Sequence, residues 1–152
     1  MKLSTKGRYG LRALIDLARY SEVEPVSISS IAERQNLSDR YLEQLMSKLK
    51  KAGLVKSIRG AGGGYVLARD PGEISVGDVL RALEGSLEPV ECAGYGGGEE
   101  CAASGECVTK YVWKRINESI NQTVDEIKID VLVEESRQLK ASGARKPTVC
   151  NN

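Results

Sequence analysis

The sequence predicts a mainly α-helical fold with a small β-hairpin wing, that is, a winged helix-turn-helix domain followed by a long dimerisation helix. Three observations predict it: two amphipathic helical segments meet at a short turn, a glycine-rich turn joins two β-like segments, and an apolar stripe of helical period follows residue 107. We expect residues 1–84 to form the winged helix-turn-helix domain, 85–106 a cysteine-containing loop, 107–140 the dimerisation helix region and 141–152 a disordered tail.

Charge is divided unequally along the 152 residues, although the net charge is only +1. Residues 1–69 carry 13 Lys and Arg against 6 Asp and Glu, which gives +7, whereas residues 70–152 carry 9 against 15, which gives −6. This asymmetry favours a polyanion-binding first part joined to an acidic part with another role. An ordinary solvated basic surface is the alternative.

Two absences narrow the classes of protein. The sequence has no apolar run near the ~20 residues that span a bilayer and no apolar signal-peptide region, so we expect a cytoplasmic protein without a membrane partner. It has no His, which removes imidazole from any metal site or catalytic triad within the chain.

The first predicted helix covers residues 5–20 and has cations near its start. Lys6, Arg8 and Arg12 are candidates to contact DNA phosphate, because helix starts commonly meet the DNA backbone. Ordinary solvated charge is the competing interpretation. The apolar face consists of Leu11, Leu14, Ile15 and Ala18.

The next two segments predict the helix-turn-helix. Residues 27–35 form a short helix in which Ser30 and Glu33 have capping-box spacing, and Asn36 is suited to the left-handed conformation that ends a helix. Ser38 then caps the recognition helix, which Gly53 ends. The apolar stripe of that helix is Tyr41, Leu42, Leu45, Met46 and Leu49, and its other face is polar and basic.

A β-hairpin and another helix follow. Residues 54–59 and 65–69 are the predicted strands, with a glycine-rich tip between them and Arg59 at its base, where it can enter a minor groove. The tip lacks the Lys-Ser/Thr pair and the glycine spacing of a nucleotide-binding loop. Residues 75–83 form a short amphipathic helix.

Four cysteines occupy positions 92, 101, 107 and 150, and three of them lie within sixteen residues of a glycine-rich, acidic segment. In a reducing compartment such a group indicates metal binding or redox chemistry. Zinc sites usually contain Cys pairs two to four residues apart, and none occurs here, while a disulfide switch stays open. An enzyme or electron carrier is disfavoured, because no nucleophile is paired with a base and a carrier would not need the basic half.

The last predicted helix carries a long apolar stripe that has no obvious partner in so short a chain. We interpret it as a dimerisation helix, with a break near residues 128–130. Packing against the N-terminal domain of the same chain is the alternative. The stripe comprises Val108, Val112, Ile116, Ile120, Val124, Ile127 and Val131.

Five short motifs together resemble the family of the iron-sulfur-cluster regulator IscR. They are KGRYG at 6–10, YLEQL at 41–45, GLV at 53–55, RG at 59–60 and GGGY at 62–65, and the resemblance extends from residue 1 to about 133. It implies a winged-helix homodimer in which a long helix of each subunit crosses the other. It also implies a transcriptional regulator rather than an enzyme, with double-stranded promoter DNA as partner and no small-molecule substrate.

The resemblance assigns roles to residues of the basic half. It implies that Glu43 takes part in base reading and that Arg59 enters the minor groove, with Ser38 and Arg40 facing DNA. A carboxylate suits this role because it accepts from the cytosine amino group and is repelled by phosphate. The DNA-binding residues expected from the motifs and the resemblance are Lys6, Arg8, Ser38, Arg40, Tyr41, Glu43, Gln44, Lys48, Arg59 and Gly60.

The resemblance also implies an iron-sulfur cluster, of the 2Fe-2S type in the most similar members, held by Cys92, Cys101 and Cys107. Two departures stand out. The spacing between Cys92 and Cys101 is longer than usual, and Lys110 replaces the histidine that serves as fourth ligand, where an ammonium cannot coordinate iron. A nitric-oxide-sensing branch uses an aspartate of the partner subunit instead, and the matching residue is Arg8.

The fourth ligand therefore stays open among Glu91, Glu99, Glu100, Glu106, Cys150 and a molecule from solution. The resemblance implies a regulator that senses cluster status and controls the genes of iron-sulfur cluster biogenesis. The alternative is a winged-helix repressor of the same family that senses redox state, nitric oxide or zinc through the same cysteines.

Overall fold

The computed structural model describes residues 3–91 and 105–143. These ranges contain six α-helices and a two-stranded antiparallel sheet. In chain order the elements are α1 (Thr5–Tyr20), α2 (Ile28–Gln35), α3 (Asp39–Lys51), β1 (Val55–Ile58), β2 (Gly64–Leu67), a 3₁₀ turn (Pro71–Glu73), α4 (Val76–Glu84), α5 (Lys110–Glu126) and α6 (Ile129–Ala141).

Side-chain caps set the starts of the short helices. The Ser38 hydroxyl accepts from the backbone N–H of Tyr41, which confirms the predicted start of α3. The start predicted for α2 is confirmed to within one residue, but its cap is Ser27, whose hydroxyl accepts from the Ser30 N–H, so the capping box predicted at Ser30 and Glu33 is wrong. Asn36 ends α2 in the left-handed conformation at φ 54°, as predicted.

The wing is shorter than predicted and gains a third partner. Val55 pairs with Leu67 and Ile58 with Gly64, so the strands cover four residues each. Val26 exchanges two backbone hydrogen bonds with Tyr65, at 2.9 and 2.8 Å, and so joins β2, next to the hairpin turn, to the chain before α2.

The core lies between the apolar faces of α1, α2, α3 and α4. Leu42, Leu45, Met46 and Leu49 are buried there, which confirms the predicted inner face of α3, while Tyr41 at its edge is half-buried. Because the apolar face of α3 is buried in the core, its polar face points outward to solvent. From α1 and α2 the core receives Ala13, Leu14, Leu17, Ala18, Ile31 and Ala32.

The long apolar stripe is divided between two helices, and the predicted break is confirmed at Ile127 and Lys128. The Ile127 carbonyl accepts from the Val76 N–H at 2.9 Å, and this extended link pins the end of α5 beside the start of α4. Beyond the break α6 packs on α1, where Ile129 and Val133 are buried. Ile129 and Val133 lie outside the predicted stripe, whose last members, Ile127 and Val131, are exposed. Ile120 and Val124 of α5 are half-buried against the core, so the middle of the stripe packs against its own domain, the alternative considered from the sequence.

Candidate nucleic-acid interface and cysteine site

The outer face of α3 presents polar and charged side chains near its start. Arg40, Glu43 and Gln44 are exposed, and exposed Ser38 caps the helix just before them. The structure therefore brings four of the predicted DNA-binding residues together on one surface at the N-terminal end of the recognition helix. In helix-turn-helix proteins this is the end that contacts base edges.

The start of α1 lies beside the start of α3. The rings of Tyr9 and Tyr41 meet edge to face with centroids 6.3 Å apart, and the Tyr41 hydroxyl lies 3.4 Å from the Thr5 hydroxyl. Lys6 is exposed in the same turn of α1. Tyr41 thus joins the start of α3 to the start of α1, and exposed Lys6 directly follows the Thr5 that Tyr41 contacts.

The cations of this region differ in their contacts. The Lys48 ammonium donates to the carbonyl oxygen of Leu83 at 3.3 Å, at the end of α4. The Arg12 guanidinium, a phosphate candidate from the sequence, donates to the side chain of Gln35 at 3.2 Å. Arg8 is half-buried, and its Nε has no hydrogen-bond partner within the described residues.

The wing tip is exposed at Arg59 and Gly60, as expected of a segment that enters a groove. Gly60 has a φ of 111°, which a side chain rarely allows. At Gly63 a Cβ atom would lie 2.4 Å from the carbonyl oxygen of Ile58, so the tip is a tight turn rather than a loose loop.

A buried ion pair that sequence reasoning missed holds α2 against α1. Asp16 is buried, and its carboxylate accepts from Arg34 at 2.6 Å and from Gln35 at 2.8 Å. The Arg34 guanidinium also lies 4.2 Å from the centre of the Tyr20 ring. A single Asp within an apolar helix face was the only local signal of this contact.

Of the four cysteines, Cys107 lies within the described residues, while Cys92, Cys101 and Cys150 lie outside them. The Cys107 thiol is exposed just before α5, 3.2 Å from the hydroxyl of Thr109. The hydrogen bond with that hydroxyl is the largest cause of a lowered pKa of Cys107. Hydrogen bonds from the backbone N–H groups of Lys110 and Thr109 lower this pKa further. The thiolate, which is the metal-binding form, is therefore favoured at this position.

Two of the candidate fourth ligands, Glu91 and Glu106, are described and exposed, whereas Glu99 and Glu100 lie outside the described residues. Within residues 3–91 and 105–143, no group of three or more Cys, Asp or Glu side chains is arranged to hold a metal ion. No helix in the same ranges is long and apolar enough to cross a membrane.

Apolar side chains are exposed along α5. Tyr111, Val112 and Ile116 have relative exposures of 63%, 45% and 38%. Val112 and Ile116 are one helical turn apart and Tyr111 directly precedes Val112, so the three lie on the same half of the helix surface, where apolar residues are normally covered by another surface.

A family model described as an iron-dependent transcriptional regulator, Rrf2, matches residues 3–135. The chain belongs to the Rrf2 family. This match confirms the family that the five sequence motifs indicated, and it covers the winged helix-turn-helix, α5 and the first half of α6.

Relatives that are similar to this chain over most of its length are named as transcriptional regulators. The HTH-type transcriptional regulator IscR of Klebsiella pneumoniae is 42% identical over 143 residues, which cover 94% of this chain and 86% of that protein. The IscR of an Enterobacter species is 40% identical over 146 residues, covering 96% and 88%. The described relatives are thus transcriptional regulators rather than enzymes.

Solved structures of Rrf2 proteins confirm the winged-helix fold. CymR of B. subtilis, titled the global cysteine regulator, has a TM-score of 0.73 and 44% identity over 89% of this chain and 98% of that one. T. potens IscR has a TM-score of 0.71 and 47% identity over 90% and 88%.

Proposed function

We propose that this Rrf2 protein is a dimeric, cytoplasmic DNA-binding regulator that senses iron-sulfur cluster status through Cys92, Cys101 and Cys107 and controls genes of cluster biogenesis. The observation that carries the proposal is the position of Cys107: an exposed thiol with a lowered pKa stands just before α5, whose first two turns expose apolar side chains. A ligand of the cluster would then lie directly beside the proposed dimer interface.

The DNA contacts follow from the exposed face of α3 and the wing. Glu43 accepts from a base in the major groove, Arg59 enters the adjacent minor groove, and Lys6 contacts phosphate. Exposure of all three side chains supports these roles. Measuring DNA affinity against salt concentration tests them, because phosphate contacts make binding weaken steeply as salt rises. Binding that does not depend on salt would contradict the proposal.

The proposed dimer joins two copies through α5. Exposed Tyr111, Val112 and Ile116 form a face that a second copy of the same helix would cover. Two copies then place two recognition helices at a fixed spacing, so that a pseudo-palindromic site is read by one dimer. Light scattering of the full chain tests this, and a monomer at micromolar concentration would contradict it.

The donor chemistry of Cys107 fits a thiolate-ligated cluster, since its lowered pKa favours the ligating form. When bound, such a cluster would act as the sensing group, because its occupancy depends on the supply of iron and sulfide and on oxidants. Three thiolates leave one coordination position, for which Glu91, Glu106, the other acidic residues of the loop, Cys150 or a small molecule are the candidates. We propose that this position is weakly held, which makes the site sensitive to its surroundings.

A second candidate keeps the DNA binding and replaces the cluster by thiol chemistry, zinc or nitric oxide at the same cysteines. The similarity to CymR, the global cysteine regulator of B. subtilis, is compatible with it. Visible absorbance separates the two, because iron-sulfur clusters absorb by charge transfer and zinc sites are colourless. An intact-mass measurement after mild oxidation detects a disulfide as a loss of two hydrogens.

The sensing step is tested by measuring affinity for promoter DNA with cluster-loaded and cluster-free protein at one salt concentration, with random DNA as reference. We expect the two forms to differ in affinity or in their preference for promoter over random DNA. Identical affinities and preferences would contradict cluster sensing and leave the DNA-binding function in place.

A further inference from the structure

The last turn of α4 lies unusually close to the first turns of α1. A Cβ atom at Gly7 would lie 2.5 Å from a carboxylate oxygen of Glu84, and one at Gly10 would lie 2.2 Å from a methyl group of Leu83. Glycine is a poor helix former, so two glycines three residues apart weaken α1 locally. The close contact with α4 accounts for both of them.

Because the two helices are so close, the Glu84 carboxylate reaches the N-terminus of α1 and forms hydrogen bonds with it. Its carboxylate accepts from the Ser4 backbone N–H at 2.9 Å, from the Ser4 hydroxyl at 2.7 Å and from the Gly7 N–H at 2.9 Å. A carboxylate is favoured there because the free N–H groups of a helix start carry positive partial charge. Although burial alone would raise it, the hydrogen bonds from Ser4 and Gly7 lower the pKa of Glu84.

The same turn of α4 also touches the recognition helix. Lys48 of α3 donates to the Leu83 carbonyl, and the first turns of α1 contact α3 through Tyr41. The end of α4 therefore holds both helices of the proposed DNA-binding face. One residue further on, Gly85 adopts a φ of 87° with open space around it, where the chain leaves α4 towards Cys92.

We propose that Glu84 is the positioning residue through which a change in the chain beyond Gly85 alters DNA binding. With its carboxylate seated on Ser4 and Gly7, the start of α1 is fixed and Lys6 stands beside the outer face of α3. When the end of α4 shifts, those hydrogen bonds are lost and the start of α1 is released. The regulatory part of this inference rests on the proposed sensing function, whereas the positioning part rests only on DNA binding.

The positioning part is tested on the full cluster-free chain with Glu84→Ala, Glu84→Gln and, as matched control, Glu88→Gln. The probe is a duplex that the wild-type protein enriches from a random library. We expect Glu84→Ala to lose about 1.8 units of the slope of log affinity against log salt, because each of the two subunits of the proposed dimer loses one phosphate contact at ~0.9 per contact. Glu84→Gln retains an acceptor and should lie between wild type and alanine, and Glu88→Gln should match wild type.

A Lys6→Ala variant identifies the lost contact. We expect it to lower the slope like Glu84→Ala, and to cause no further loss in the double variant, because both remove the same phosphate contact. A variant that was merely unstable would lower the active fraction and leave the slope unchanged. An unchanged slope in folded Glu84→Ala, checked by circular dichroism, would overturn the proposal.

The regulatory part is tested by the ratio of DNA affinities between cluster-loaded and cluster-free protein. Allosteric coupling typically changes affinity by about fivefold or more. If the wild-type protein shows such an affinity ratio, we expect the ratio to fall near one in Glu84→Ala and to stay at the wild-type value in Glu88→Gln. An unchanged ratio in Glu84→Ala would overturn the coupling and leave cluster sensing intact. A ratio of one in wild type would contradict cluster sensing and the coupling together, and the salt slope would still decide the positioning role.

Discussion

The ion pair between Asp16 and Arg34 should contribute more to stability than any exposed pair of this chain that the structure describes. Asp16→Asn preserves the volume of the side chain but removes its charge, and it turns one acceptor into a donor that faces the guanidinium. The side chain of Asp16 is 4% exposed and that of Arg34 is 29% exposed. The carboxylate is thus held away from water and bound by two neighbouring side chains of α2.

The expected loss can be estimated from these exposures. Breaking a fully buried pair costs about 3–5 kcal/mol, but Arg34 is partly exposed and can be hydrated again when its partner is lost. We therefore expect a smaller loss than for a fully buried pair, about 2–3 kcal/mol in the free energy of unfolding. For a chain of this size this corresponds to a fall in Tm of about 4–12 °C. Urea unfolding and thermal melting of the cluster-free protein measure the two quantities.

Glu22→Gln is the matched control, since it makes the same chemical change in the pair of Glu22 with Arg137. Those side chains are 62% and 40% exposed, and exposed pairs contribute at most about 1 kcal/mol. The reasoning predicts a clearly larger loss for Asp16→Asn than for Glu22→Gln. Equal losses would refute it, because burial would then not determine the contribution of the pair.

Three further results are expected. Glu43→Ala should relax preference at a single base pair, costing about 1–3 kcal/mol of discrimination, as measured by binding to singly substituted sites, and unchanged preference would remove Glu43 from base reading. Ile116→Asp, which puts a charge on the exposed face of α5, should convert the proposed dimer to monomer in light scattering with α-helical content unchanged, whereas a persistent dimer would exclude that face. Glu84 has a lowered pKa, so its stabilisation is present at neutral pH and lost as pH falls through the lowered value. The stability difference between wild type and Glu84→Gln should therefore shrink in acid, and a difference independent of pH would contradict this.

Local patterns predicted much of the fold because local contacts determine it. The inner face of α3 follows from helical spacing, and the caps at Ser38 and Asn36 involve residues at most a few positions away. The capping box at Ser30 failed because Ser27 offers an equivalent hydroxyl one turn earlier. Neighbouring Ser residues compete for the same role, and spacing alone does not choose between them.

Contacts between distant parts of the chain could not be predicted from such local patterns. Glu84 meets Ser4 across 80 residues, and only the packed arrangement of α1 and α4 shows why Gly7 and Gly10 are glycines. The apolar stripe after residue 107 has one period, but Val112 and Ile116 are exposed while Ile120 and Val124 are half-buried against the core. Periodicity identifies an apolar face and does not identify what covers it.

The central claim, a cluster held by three cysteines, is tested most directly by the visible spectrum and iron content of protein purified without oxygen. Cys92→Ala, Cys101→Ala and Cys107→Ala are measured beside it, with Cys150→Ala as a test of the fourth position. We predict a coloured, iron-containing protein that loses its absorbance in each of the first three variants. A colourless protein without iron, even after reconstitution with iron and sulfide, would contradict the claim.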